Sequence, residues 1–380
     1  MKILFCSRTD LSKELGASKV LIELAEEMEQ LGWRCTLVSP KDIEPGLNGT
    51  SDYCVHLRRY LIEHAREYDV VEYDHGHLPY PRSDFPAETL FVARSVLLAH
   101  HFKHISIQPD KTIKGRVRSL LFDNAEAQRL RLRIEKAHKT VSEADLVNVV
   151  NSDDYLELVG SGVSEEKIVV IPYGLNRKTR VQFDSLPEQP PLDPVVVFVG
   201  TFDNRKGALD FPLIIRAVST AVPQVRFRLL GTGMDQASVR KRLPKTLRSK
   251  VDVVSSFRNG DLPELLSGGS IGVFPSRLES FGLGILEMMA ASIPVIAYNC
   301  PGPPAILSDN FLVPSGNWPA MSEKVIEFLL DRNRLIIARR WAKQRSQEFV
   351  WASAAKRTSD TYIKHLKMKT VLPAEVCSPL

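Results

Sequence analysis

Two carboxylates eight residues apart bracket a glycine-bearing stretch, Pro275-Ser276-Arg277-Leu278-Glu279-Ser280-Phe281-Gly282-Leu283-Gly284-Ile285-Leu286-Glu287. It follows an apolar run over 271–274 that reads as a buried strand. Ser280 can cap a helix, and Gly282 and Gly284 fall where that helix should begin. Glycine is a poor helix former, so two in a first turn need a reason. One is close approach of backbone N–H groups to an anion, helped by the positive end of the helix. Eight residues at about 100° each return to nearly the same side, so Glu279 and Glu287 would flank that anion and accept hydrogen bonds from sugar hydroxyls. The alternative is plainer: an acid favouring the helix dipole and one exposed glutamate.

A second cluster, Gly200-Thr201-Phe202-Asp203-Asn204-Arg205-Lys206-Gly207, leaves the apolar run 195–199. Adjacent bases at the C-terminal edge of a parallel sheet stand where open α/β sheets take their ligands. Arg205 can grip phosphate oxygens in pairs and Lys206 acts as a point charge; a solvated Arg-Lys turn is the other reading. Gly231-Thr232-Gly233 after the next strand reads as a tight turn. The first strand-to-helix loop lacks Gly-x-Gly-x-x-Gly, which disfavours a nicotinamide dehydrogenase. Gly16-Ala17-Ser18 there still lets backbone approach a ligand.

The elements that must position these residues alternate. Residues 2–6 form a short apolar run, 20–31 have helical spacing and stop at Gly32, and 33–38, 69–72 and 90–93 read as strands. The proline-rich segment 183–194 is a linker, after which the pattern restarts. Strands are expected at 195–199, 225–230, 251–254, 271–274 and 294–298, and a helix at 209–220. Residues 322–366 are helical in pattern, and those past 371 are irregular. Continuous apolar strands alternating with amphipathic helices imply parallel sheets covered on both faces.

The 380 residues, 44% hydrophobic and 25% charged, have the mixture of a globular protein and exclude general disorder. No apolar run approaches the roughly 20 residues that span a bilayer. The first residues lack the pattern of a signal peptide. Five scattered cysteines with no Cys-x-x-Cys argue against zinc or a disulfide framework, and for a cytoplasmic setting. A net charge of +5 is too small to demand nucleic acid.

Together these motifs resemble the retaining glycosyltransferases of family 4, with the GT-B fold. The family's Glu-x7-Glu matches Glu279 through Glu287, and its glycine-to-Lys-Gly segment matches 200–207. Ile171-Pro172-Tyr173-Gly174 resembles its "IPNG", and Pro294-Val295-Ile296-Ala297 with Gly302 its "PVIA…GG". The resemblance implies two Rossmann-like domains facing a cleft: an acceptor domain over 1–185, to which part of 350–370 returns as a crossing helix, and a donor domain over 186–349. It implies a nucleotide diphosphate-sugar as donor, no cofactor and no metal. Glu287 would hold the ribose and Arg205 with Lys206 the diphosphate. Glu279 and the backbone of Ser280, Phe281, Gly282 and Leu283 would hold the sugar, with Gly16, Thr201 and Arg258 also on the donor side. In the first domain Asp69-Val70-Val71-Glu72-Tyr73-Asp74-His75-Gly76-His77 resembles the family's "D-hydrophobic-hydrophobic-H-x-H". It would put His75 among the catalytic residues, and His77 and Arg94 at the acceptor or cleft, while Val96 stands where relatives carry a histidine that His100 or His101 would replace. Thr201, Ser292 and Ala305 depart from the family's basic residue, glycine and acid.

The expected function is transfer of a sugar, with retention, to a carbohydrate, lipid-linked or small-molecule acceptor; the alternative is a catalytically silent GT-B binding subunit. Phosphorylases of this fold would need a lysine-bound pyridoxal group in a much longer chain. Bases interleaved with apolar residues over 111–139, including Arg116 and Arg118, suit either an anionic membrane surface, at its inner face, or a solvated helix.

Overall fold

A computed structural model describes residues 1–13, 16–46, 53–104 and 113–371, excepting the side chains of 17, 113–124, 370 and 371. The described chain divides into two compact units, one from 1–104, 113–172 and 351–371, the other from 173–350.

The first unit holds a six-stranded parallel sheet of β1 (Lys2–Cys6), β2 (Arg34–Val38), β3 (Val70–Asp74), β4 (Leu90–Arg94), β5 (Leu146–Val149) and β6 (Ile168–Val170). Their order is β2-β1-β3-β4-β5-β6, so the direction of winding reverses between β1 and β3. Every residue of β3 and β4 is buried, as expected of central strands covered on both faces. The helix Gly16–Gln30 joins β1 to β2 and ends in a left-handed Gly32, φ +85°, whose N–H donates to Glu29 O. That is the glycine stop the periodicity indicates. The helix starts at Gly16, so Gly16-Ala17-Ser18 form its first turn rather than preceding it.

The second unit repeats the plan with β7 (Val195–Val199), β8 (Arg226–Leu230), β9 (Val251–Val254), β10 (Ile271–Phe274), β11 (Val295–Asn299) and β12 (Leu312–Pro314). The order β12-β11-β10-β7-β8-β9 reverses between β7 and β10. Phe198 of β7 packs edge-on against Phe211, ring centroids 4.8 Å apart. Phe183 and Asp184, read from the sequence as linker, close a helix Arg177–Asp184 in this unit, with Phe183 buried.

The helical stretch expected over 322–366 is three helices, Trp318–Leu330, Arg332–Ser346 and Trp351–Val371. Asp331 breaks the first from the second and caps the second, its carboxylate accepting from Arg334 N at 2.9 Å. The last helix belongs to the first unit and packs on Gly16–Gln30. Trp351 Nε1 donates to Glu23 Oε2 at 2.7 Å, Trp33 Nε1 to Ser359 Oγ at 2.9 Å, and the Tyr362 hydroxyl to Glu72. Among the described residues no helix is long and apolar enough to cross a membrane. The basic segment lies on the helix Ile113–Glu143, but Lys111 and the side chains of Arg116 and Arg118 fall outside the described residues.

Candidate functional site

The crevice outside the carboxyl ends of strands at a winding reversal is where open α/β sheets bind ligands. In the second unit that place lies between the loops leaving β7 and β10, and both sequence clusters occupy it. Arg277 N donates to Arg205 O at 2.8 Å, so the two loops are bonded together. Gly207 makes the approach feasible: its φ is +84°, and a Cβ there would stand 2.3 Å from Pro275 O.

The result is a compact charged cluster. Lys206 Nζ lies 2.5 Å from Glu279 Oε1, and Arg205 Nη1 lies 3.5 Å from the same oxygen while donating to Leu278 O at 2.9 Å. Glu279 is only 7% exposed. Lys206 also sits over the Phe274 ring, 5.1 Å from its centroid. Thr201, standing where a base is usual, builds the turn instead: its hydroxyl donates to Asp203 Oδ2 at 2.6 Å, and Asp203 Oδ1 accepts from Lys206 N at 3.0 Å. Arg205 and Lys206 thus leave a turn fixed by side-chain bonds.

The loop after β10 enters the helix Leu283–Ala290 through Gly282, which is its N-cap with φ +97°; Ser280 lies two residues earlier and does not cap. Because the helix begins at Leu283, Glu279 lies outside it, and the eight-residue helical spacing does not relate it to Glu287. Glu287, buried, projects from the helix's second turn. The two glycines have different reasons. Gly282 supplies a left-handed turn, whereas a Cβ on Gly284 would meet Val199 O at 2.9 Å, so that glycine serves packing of the helix on β7. Phe281 is buried between Tyr173 and Phe349, centroids 5.6 and 5.7 Å away, which leaves its backbone rather than its ring for a ligand. Gly302, φ +104°, backs the site: a Cβ there would stand 3.0 Å from both Glu279 Cβ and Ser280 O.

Beside the cluster, Thr201, Phe202, Asp203, Asn204, Thr232 and Gly233 line much of a cavity of about 470 Å³ at the ends of β7 and β8. Arg258 is exposed and follows the edge strand β9, two strands from the cluster. Asp210 was not singled out by sequence. It accepts from Arg277 Nη2 at 2.8 Å and from the Tyr298 hydroxyl at 2.9 Å, pinning the site loop from behind. Burial and the Asp210 charge push the Tyr298 phenol up.

In the first unit, His75 is buried and its Nε2 accepts from Ala99 N at 3.2 Å. Burial pushes its imidazole down, against the pull of Asp74. His77 Nδ1 lies 2.8 Å from Asp74 Oδ1, and its ring meets Tyr53 edge-on. Arg94, 3% exposed, faces inward, its Nε 2.7 Å from Glu72 Oε1 beneath the last helix. His101 Nε2 lies 2.9 Å from Asp154 Oδ1, whereas both ring nitrogens of buried His100 lack a hydrogen-bond partner among the described residues. Gly16 is exposed, with open space where a Cβ would be. Asp74 also escaped notice in the sequence; its place three residues before His77 was the available signal.

Comparison with known proteins adds to this geometry. The family described as "Glycosyl transferases group 1" matches residues 193–331. The sulfoquinovosyl transferase SQD2 of Arabidopsis thaliana is 26% identical over 171 residues, 43% of this chain and 32% of that protein. A phosphatidylinositol N-acetylglucosaminyltransferase subunit of the same plant is 25% identical over 209 residues, 54% of this chain and 46% of its own. The chain thus spans less than half the length of these curated relatives. Among solved structures, Anabaena Alr3699/HepE with UDP-glucose superposes with a TM-score of 0.65 at 18% identity, covering 96% of this chain and 100% of that one.

Proposed function

We propose that this chain, whose residues 193–331 match the group 1 glycosyltransferases and which has the GT-B fold, is a member of that family and moves a sugar from a nucleotide diphosphate-sugar to an acceptor hydroxyl with retention at the anomeric carbon. The observation that carries the reading is the Arg205–Lys206–Glu279 cluster at the winding reversal of the second unit. Two cations on a fixed turn suit a diphosphate, and their charge stabilises it as it departs. Glu279 and the backbone about Gly282 suit the hydroxyls of the transferred sugar. Glu287 suits the ribose, and the neighbouring cavity gives the nucleotide room. The acceptor hydroxyl attacks from the face the diphosphate leaves, and the leaving oxygen takes its proton.

UDP-glucose is the first donor to try, because Alr3699/HepE is solved with it; GDP- and ADP-glucose complete the panel. A donor at a hundred times its Kd should raise stability by about 2.7 kcal/mol in a thermal-shift assay. Consumption of the bound donor separates an enzyme from a silent binding protein. Proton NMR of the product then reports the anomer. Absence of binding by all three donors, or an inverted product, overturns the reading.

A further inference from the structure

The loops after β7 and β10 that carry the Arg205–Lys206–Glu279 cluster are joined by bonds of two kinds. The first kind uses the cluster's own cations. Lys206 Nζ lies 2.5 Å from Glu279 Oε1, and Arg205 Nη1 donates to Leu278 O at 2.9 Å. In the proposed function a diphosphate draws on both cations, so it competes with both bonds. A donor that wins them loosens Glu279 at the moment that carboxylate has to meet the sugar.

The second kind runs through Arg277 and leaves the cations free. Its backbone N–H donates to Arg205 O at 2.8 Å, and its Nη2 donates to Asp210 Oδ2 at 2.8 Å. One residue after β10 thus holds the loop after β7 at Arg205 and again at Asp210. Asp210 is itself fixed. It stands buried at the start of the helix Phe211–Ala221, and its Oδ2 also accepts from the hydroxyl of fully buried Tyr298 on β11, at 2.9 Å. The guanidinium lies close against the turn after β12 as well, because a Cβ on Gly316 would stand 2.9 Å from Nη1. A charge-assisted bond held this way fixes direction as well as distance. Glu279 follows in the same loop, two residues after Arg277.

We infer that Arg277 is a positioning residue for sugar transfer: through Asp210 and the Arg205 carbonyl it keeps Glu279 at its station while the donor occupies Arg205 and Lys206. This rests on reading the second unit as the donor side of a glycosyltransferase. The role makes the effect of Arg277 depend on the sugar. UDP alone asks only for the cations and the nucleotide contacts, whereas transfer also asks for a correctly placed Glu279.

The test uses the full-length protein, with UDP affinity read by calorimetry and turnover by release of UDP from UDP-glucose. If wild type prefers GDP- or ADP-glucose, that donor and its diphosphate replace them. Arg277→Gln should bind UDP within about threefold of wild type while kcat falls about tenfold or more. The variant carrying both Arg277→Gln and Glu279→Gln should turn over within about twofold of Glu279→Gln alone, because the role is exercised through that carboxylate. An arginine that only stabilised the fold would give losses that multiply. Arg277→Lys keeps the charge on Asp210 and should recover part of kcat. Asp210→Asn should lower kcat in the same direction, and it carries the test if Arg277→Gln does not fold. Arg226→Gln breaks an arginine–aspartate pair to Asp252 at the opposite end of β8, and should leave both readouts within about twofold. Melting curves confirm that each variant is folded at the assay temperature. Equal losses of UDP affinity and kcat, multiplying losses in the double variant, or wild-type kcat in both Arg277→Gln and Asp210→Asn overturn the role and leave the transferase reading standing. If wild type takes up none of the three donors, or releases no nucleotide from them, the transferase reading falls and this role falls with it.

Discussion

Lys206 has two claimants, the buried carboxylate of Glu279 at 2.5 Å and, in the proposed function, the donor's diphosphate. The two compete in the ground state. Replacing Glu279 by Gln removes one claimant, so Glu279→Gln should bind UDP more tightly than wild type while turnover falls about a hundredfold, because contacts to the transferred sugar are lost. Lys206→Met should do the opposite to affinity, weakening UDP about tenfold or more. Calorimetry with UDP and steady-state kinetics read both, and weaker UDP binding by Glu279→Gln would refute the competition. A different residue reports on pH. Burial, then the His75 and His138 charges, push His100 down to about 4, and neither ring nitrogen has a hydrogen-bond partner among the described residues. Its native pKa lies below its unfolded value of about 6.5, so its contribution is fully present above pH 6.5 and is lost as pH falls towards 4. Stability there should drop by up to about 1.4 kcal/mol per pH unit, and His100→Leu should flatten that slope in denaturant melts at pH 4.5, 5.5 and 6.5. At this scale the Arg205–Lys206–Glu279 cluster was legible because its residues are close in sequence to glycines that mark loops. Asp210 and the inward turn of Arg94 were not, since each depends on partners 67–88 and 22 residues away, respectively.

The elements carry their own test in two backbone positions. Ser292 is the only described non-glycine residue with positive φ, at 60°, and it ends the site helix: Ser292 N donates to Met289 O and Ile293 N to Met288 O. That is a left-handed cap usually filled by glycine, and an L-residue there costs about 1–2 kcal/mol. Ser292→Gly should therefore stabilise the second unit by about 1 kcal/mol in denaturant melts, with no loss of UDP affinity. Gly284→Ala should go the other way by about 1–3 kcal/mol despite better helix propensity, because its Cβ would meet Val199 O at 2.9 Å. A stabilised Gly284→Ala would show that the helix end shifts freely on β7. The same local view explains what the pattern missed. β1, β7, β9 and β10 stand at the expected bounds, being mostly apolar runs closed by Ser7, Gly200, Ser255 and Pro275. β6 and β12 are only three residues long, too short for periodicity to separate from a helix end. The 322–366 stretch reads as continuous because its breaks, at Asp331 and 347–350, contain no glycine or proline.

At the scale of the whole molecule, the chain leaves its first unit after residue 172 and returns at 351, so that unit's stability depends on the returning helix. The return is anchored by specific bonds rather than by apolar contact alone. Trp351 is 1% exposed and donates to Glu23, and Tyr362 donates to Glu72, a fully buried carboxylate that burial pushes up and Arg94 pulls back. Removing the indole leaves a large cavity and deletes its bond to Glu23, so Trp351→Ala should cost the first unit about 3–5 kcal/mol. Trp351→Phe should keep most of the volume and lose chiefly the bond, costing about 1–3 kcal/mol. Hydrogen exchange followed by mass spectrometry resolves where the loss falls. Amides of β1–β6, of the helix Gly16–Gln30 and of the terminal helix should exchange faster in Trp351→Ala. Those of β7–β12 should keep wild-type protection, because the bonds that anchor the terminal helix end on residues of the first unit. Equal loss of protection in both sheets would mean that the two units unfold as one, and that the terminal helix stabilises the whole chain rather than the unit it rejoins.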